Sequence, residues 1–234
     1  MATEKYVLIL AGGEGHRAGT EIPKQFINLC GVPMLWWSVR AFHRASPQAK
    51  IIVVLHPGFF ADWNIMYSTL SEADRMIDVK VVAGGRTRND SVKNGLMSVS
   101  CDSHSYVAVH DAARPMLTVA MIERGWRCAA EHSTAVPAVP LTDSLRIVEK
   151  EGSRAVDRCD YVAVQTPQIF RADIIKQACE LEDSPGFTDD ASRVEASGHK
   201  IALYEGDPSN MKVTTPVDFP IAETLLARRM MEPV

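Results

Sequence analysis

Alternation is what most constrains the fold of this chain. Short runs rich in β-branched residues recur as "YVLILA" (6–11), "KIIVVLH" (50–56), "VKVVAG" (79–84), "SYVAVH" (105–110) and "STAVPAV" (133–139). Between them lie stretches of helical spacing. "PMLWWSVRAFHRA" (33–45) sets Leu35, Val39 and Phe42 on one face, and "RNDSVKNGLMSV" (88–99) and "VAMIERGWRCAAEH" (119–132) show similar periodicity. Strands that alternate with helices imply an α/β fold, with a mostly parallel sheet covered on both faces. In such sheets ligands sit beyond the carboxyl ends of the strands. A glycine-rich loop follows the first strand at that place.

The segment from Leu141 to Gln165 breaks the alternation. It reads as two extended pieces around the turn "EKEGS", a hairpin 141–165 set into the α/β frame. An isolated hairpin is marginal in water and needs something to pack against. We therefore read it as a dimerisation arm, with a solvated flap as the plainer alternative. "PVDFPIAETLLARRM" (from Pro216) reads as a closing helix over 216–231. With no linker or repeat in sight, the expectation is one domain over 1–234.

Composition excludes several classes. A net charge of −4 argues against a nucleic-acid coat or a membrane-surface protein, which need a basic excess. The five cysteines (30, 101, 128, 159 and 179) are spread without a CxxC pair, so neither a zinc site nor a disulfide framework is expected. "YVLIL" is too short for a signal-peptide core, and no long apolar run follows. We expect a cytoplasmic protein with reduced thiols, no nucleic-acid partner and no membrane.

The loop "LAGGEGHRAGTEIPKQF" (10–26) admits three phosphate-binding readings. A Walker loop must end in GK[ST], and this one does not. A dinucleotide site needs an acidic residue at the end of the second strand to hold a ribose, but that strand ends at His56-Pro57. A non-catalytic dinucleotide-binding module is disfavoured for the same reason. A nucleotidyltransferase loop, in which a glycine turn wraps a triphosphate and cations follow, suits Arg17 and Lys24. Pro23 fixes its own φ and restricts its predecessor, which helps to aim Lys24.

Five more motifs follow in order: "GGRTRNDSV" (84–92), "VHDAARP" (109–115), "QTPQIF" (165–170), "FTDDAS" (187–192) and "NMKVTTP" (210–216). Together with the glycine loop they resemble the 2-C-methyl-D-erythritol 4-phosphate cytidylyltransferase family over about residues 6–228. A sibling family, the ribitol-5-phosphate cytidylyltransferases, shares most of them, and "LAGG" is closer to the sibling's spelling. The resemblance implies a Rossmann-like nucleotidyltransferase fold and a homodimer with exchanged arms. It also implies transfer of CMP from CTP to methylerythritol phosphate, or in the alternative to ribitol phosphate, with release of pyrophosphate.

Nucleotidyl transfer asks a protein mainly for positioning and for cations where negative charge gathers. The resemblance gives that work to Arg17, Lys24 and Lys212. It implies that Ala11, Gly12, Gly13, Gly15, Gly85, Ser91, Ala112 and Arg114 hold CTP. Backbone groups and the Ser91 hydroxyl would read the cytosine, and the small Ala112 would let the ribose lie against the chain. Ser91 also suits the N-cap of a helix 91–101, and Arg114 suits an ion pair with Asp111. Asp111 would hold Mg²⁺ with the triphosphate, since Mg²⁺ takes few carboxylates plus phosphate oxygens; the plainer reading is an N-cap before "AARP". Ser144, Arg158, Thr188 and Asp189 would grip the sugar phosphate, the first two reaching across from the partner subunit. Arg158 alternatively pairs with Asp157 or Asp160. Arg86 stands where the erythritol enzymes commonly have an acid, and Ser144 where Thr is usual. His16 and His110 lack the spacing of a metal pair and are read as structural.

Overall fold

The computed structural model describes residues 3–13, 22–100 and 102–231. Its first half runs β1 (Lys5–Ala11), β2 (Asn28–Leu29), β3 (Val32–Pro33), α1 (Met34–Ala45), β4 (Lys50–Leu55), α2 (Phe60–Ser68), α3 (Glu72–Arg75), β5 (Val79–Ala83), α4 (Arg88–Met97) and β6 (Tyr106–Asp111). The second half runs α5 (Val119–His132), β7 (Thr134–Pro140), β8 (Arg146–Glu149), β9 (Gly152–Ala155), β10 (Val162–Val164), β11 (Gln168–Arg171), α6 (Ala172–Cys179), α7 (Asp190–Ala196), β12 (Leu203–Glu205) and α8 (Asp218–Met231).

The main sheet has the order β10-β7-β11-β6-β1-β4-β5, with β12 also paired to β7. β6, β1, β4 and β5 are mutually parallel, while β11 runs antiparallel to both β6 and β7. Side chains of β1 alternate between two cores, as the two-residue period of a strand dictates. Val7 and Ile9 join Leu35, Val39 and Phe42 of α1 and Met121, Ile122 and Trp126 of α5. Tyr6 and Leu8 join Val92 and Leu96 of α4 and Ile174 and Ile175 of α6 on the other face. Burial on both faces makes β1, β4 and the first part of β6 each read as one apolar run. Every such side chain taken fully out of water contributes about 1.5–3 kcal/mol. A third cluster fastens α8 to β2 and the segment after β6 through Leu226, Leu29, Met116 and Val213.

The structure redraws three expected boundaries. The helix expected to begin at Ser91 begins at Arg88: Thr87 is its N-cap, and Thr87 and Asp90 form a reciprocal capping box. Ser91 is therefore inside the helix and caps nothing. The expected hairpin 141–165 is paired only over β8 and β9; β10, inside that range, has rejoined the main sheet against β7. The closing helix begins at Asp218. Among the described residues, no helix is long and apolar enough to cross a membrane, and Cys30, Cys128, Cys159 and Cys179 are free thiols.

Candidate active site

In the order β5-β4-β1-β6 the chain first builds outward from β1 and then returns to its other side. Such a reversal leaves a crevice at the carboxyl ends of the strands. A cavity of about 370 Å³ opens there, lined by Ala11, Gly12 and Gly13 after β1, by Gly85 to Arg88 and Ser91 at the start of α4, by Asp111, Ala112 and Ala113 after β6, and by Lys24 and Lys212.

Its floor is made by close backbone approach. At Gly85 a Cβ atom would lie 2.1 Å from that of Asp90, so only glycine fits beside the capping box. The Gly85 amide donates to Ser91 Oγ at 3.1 Å, and that hydroxyl in turn donates to the Thr87 carbonyl at 3.0 Å. Across the cavity the buried Gln25 side chain donates to the Ala11 carbonyl at 2.9 Å, tying the end of β1 to the turn that carries Lys24. Lys24 Nζ donates to the Val213 carbonyl at 3.0 Å. The turn that carries Lys24 and the "NMKVTTP" segment therefore meet at the cavity edge.

Asp111 is the electrostatic centre. Its carboxylate lies 2.8 Å from Lys212 Nζ through Oδ2, and 3.7 Å from Arg88 through Oδ1; Arg114 Nε is 4.0 Å away. Burial alone would raise its pKa, but Arg88 and then Lys212 outweigh that and hold it at about 2. Behind it, the Asp111 amide donates to Thr166 Oγ1 at 3.1 Å. Thr166 Oγ1 also sits 3.1 Å from His110 Nδ1, and Ser38 Oγ lies 3.1 Å from His110 Nε2. Burial pulls the His110 pKa down to about 4, so this fully enclosed ring is neutral at pH 7 and structural, as expected. Asp111 caps no helix: a turn follows, closed by the Arg114 amide on the Asp111 carbonyl at 3.0 Å. Arg114 does not line the cavity; its guanidinium donates to the Asn210 carbonyl at 2.8 Å.

Among the described residues no three metal-binding side chains cluster. One ionised carboxylate facing a cavity suits a cation that brings its other oxygens on a bound phosphate chain, which is the habit of Mg²⁺. Asp111 meets that description.

The remaining expected residues lie elsewhere. Ser144, Arg158 and Thr188 are exposed, and none lines the cavity. Arg158 donates to the Thr142 carbonyl on its own segment. Asp189 is the N-cap of α7, accepting from the Ser192 amide at 2.8 Å and from Gln168 Nε2 at 2.6 Å. Gly15, His16 and Arg17 lie outside the described residues. Sequence reasoning did not single out Gln25, Arg88 or Asp190. The neighbouring motifs contain all three, but their pairings arise only in the folded chain.

A family model described as 2-C-methyl-D-erythritol 4-phosphate cytidylyltransferase matches residues 6–228. A protein of that name from Azobacteroides pseudotrichonymphae is 41% identical over 226 residues, covering 95% of this chain and 99% of the other. One from Bacteroides fragilis is 42% identical over 221 residues, covering 94% and 98%. The crystal structure of the Thermus thermophilus protein of that name superposes with a TM-score of 0.74 at 33% identity, over 97% of this chain and all (100%) of that one.

Proposed function

The chain belongs to the 2-C-methyl-D-erythritol 4-phosphate cytidylyltransferase family, and from that premise we propose how its residues share the work. The reaction transfers CMP from CTP to 2-C-methyl-D-erythritol 4-phosphate in isoprenoid biosynthesis and releases pyrophosphate. Synthesis of CDP-ribitol is not favoured, since the similar relatives carry the methylerythritol name. Nor is the non-catalytic binding module.

In the transfer, an oxygen of the sugar phosphate bonds to the α-phosphorus of CTP, and the bond from that phosphorus to the leaving pyrophosphate breaks. Two polyanions must meet on a protein of net charge −4, so a local positive well is required. One observation carries the assignment: Lys24 and Lys212 line the same cavity as the bare backbone of Ala11 to Gly13. We assign Lys24, Lys212 and Arg17 to charge on the phosphates as it develops. Mg²⁺, held by Asp111, would supply further charge neutralisation on the triphosphate. Cytosine is read by the backbone of Ala11, Gly12 and Gly85. Ser91 already spends its hydroxyl on Gly85 and Thr87, which supports a role in shaping that backbone. Arg114 holds the Asn210 end of the segment that presents Lys212.

That Ser144 and Arg158 are exposed and do not line the cavity supports a second copy of the chain. Ser144 and Arg158 would then reach the sugar phosphate of a partner in a homodimer, facing Thr188 and Asp189, and we place this enzyme in the cytoplasm. Incubation of the protein with CTP, Mg²⁺ and either sugar phosphate, with pyrophosphate measured, tests the reading. Release with methylerythritol phosphate and little with ribitol phosphate is expected; the reverse preference would move the chain to the sibling activity.

A further inference from the structure

Arg88 and Asp190 have no role in the assignment above, yet they are tied to its centre. Arg88 is the first residue of α4 and Asp190 the first of α7. Asp190 is 3% exposed and does not line the cavity. Its Oδ2 lies 2.6 Å from one terminal nitrogen of Arg88, whose other terminal nitrogen lies 3.7 Å from Asp111 Oδ1. We infer that Arg88, anchored by Asp190, is the positioning residue that fixes the Asp111 carboxylate at the rim of the nucleotide cavity. The inference rests on reading that cavity as the CTP site.

The geometry forms a closed ring. β6, which carries Asp111, is hydrogen-bonded to β11, where Gln168 faces Val109 in register. Gln168 Oε1 accepts from the Ala191 amide at 2.9 Å, so β11 holds the start of α7 and with it Asp190. Asp190 holds Arg88, and Arg88 faces back to Asp111. A carboxylate taken this far out of water is unfavourable unless it is paired, and Arg88 is the cation that meets it.

The anchor matters because Arg88 itself lines the cavity. A cation on a free stem would turn toward the phosphates of an arriving nucleotide. Held at one end by Asp190, the planar fork keeps its other end on Asp111. Lys212 also faces Asp111, but the assignment above sends it to phosphate. When Lys212 turns away, Arg88 is the partner that stays. A lysine at 88 would keep the charge but lack the fork needed to face both carboxylates.

Steady-state kinetics on Arg88→Lys, Asp190→Asn and the double variant, with a crystal structure of Arg88→Lys, test this. Each single change should lower kcat by about 10- to 100-fold, as loss of a ligand-orienting partner does, with little change in KM for CTP. The double variant should be no worse than the worse single, because Asp190 acts through Arg88. In the crystal structure the Asp111 carboxylate should have moved. Losses that multiply in the double variant would overturn the inference. So would a rise in KM for CTP alone, which makes Arg88 a nucleotide-binding residue. An unshifted Asp111 with wild-type kcat would do the same. If Asp190→Asn does not fold, Arg88→Lys decides by its kcat and its structure. Absence of pyrophosphate release by the wild-type enzyme would sink the reading of the cavity instead, and the position of Asp111 in Arg88→Lys would still judge this inference.

Discussion

The cavity rim and the hairpin arm are both assigned to one reaction, and they are built in opposite ways. At the rim, the Asp111 side chain is 14% exposed, its amide is held by Thr166, and its two oxygens face different cations. On the arm, Val148 is 84% exposed, and β8 and β9 form a two-stranded sheet of their own. Charges that must be in place before the nucleotide arrives are fixed by buried neighbours. The residues proposed for the second substrate, Ser144 and Arg158, flank a ribbon that is marginal without support. The contrast separates a part of the molecule that folding alone holds in place from a part that the chain's own core does not hold.

The largest effect should come from the rim. Lys24→Ala removes a cation from the charge that develops on the phosphates, and kcat should fall by roughly 10²–10³-fold while the affinity for CTP changes far less. Lys24→Arg should rescue poorly, because a planar fork does not replace a point charge that bonds the Val213 carbonyl at 3.0 Å. A variant that only raises the Michaelis constant would make Lys24 a binding residue and weaken the contrast.

Mixing tests the arm directly. Lys24→Ala and Arg158→Ala proteins should each be inactive, but after joint unfolding and refolding half the dimers are mixed. In each mixed dimer one site receives an intact Lys24 and an intact Arg158, so about a quarter of all sites should recover. If exchange between tagged chains is verified and no activity returns, both residues serve their own chain and the arm does not cross.

Base selectivity should be smaller. A base that leaves the backbone groups of Ala11, Gly12 or Gly85 unpaired should be penalised by about 1–3 kcal/mol per lost contact. CTP should therefore outrun UTP by at least several-fold in kcat/KM, and equal turnover would remove the proposed base pocket.

Stability separates the regions further. Thr166→Val strips a buried acceptor from the Asp111 amide and a partner from His110, and should cost about 2 kcal/mol in denaturant unfolding. Val148→Ser on the exposed arm should change monomer stability by less than about 0.5 kcal/mol, the smallest effect of the set. It should show instead as dimer dissociation on dilution.

The parts of this architecture legible in sequence were those governed by local pattern. The alternating runs marked β1, β4 and β6 because strands buried on both faces are apolar throughout, and β5 and β7 because their β-branched runs fall between helical stretches. The motifs marked Asp111 and Lys212 because each lies in a short stretch with its own chemistry. Pattern failed where distant segments decide. β11 is four residues long and antiparallel between two longer strands, too short for periodicity to show. Arg88 reads as an ordinary charge at a helix start until α7 brings Asp190 beside it. Ser91 looked like a cap because the true cap, Thr87, is only four residues earlier in a motif of several hydroxyl and acidic residues.

β7 and β10 pair antiparallel, with Val162 opposite Pro140 and Ala163 opposite Val139. The chain therefore leaves the main sheet at Pro140 and returns to it at the adjacent position. Residues 141–161 are a detour whose two ends already touch. Loop-closure entropy changes only by about 0.6 kcal/mol for each doubling of length, so lengthening, shortening or replacing the detour with a tight turn barely concerns the sheet. The arm is in that sense a graft: it can be rebuilt while the cavity end of the molecule stays as it is.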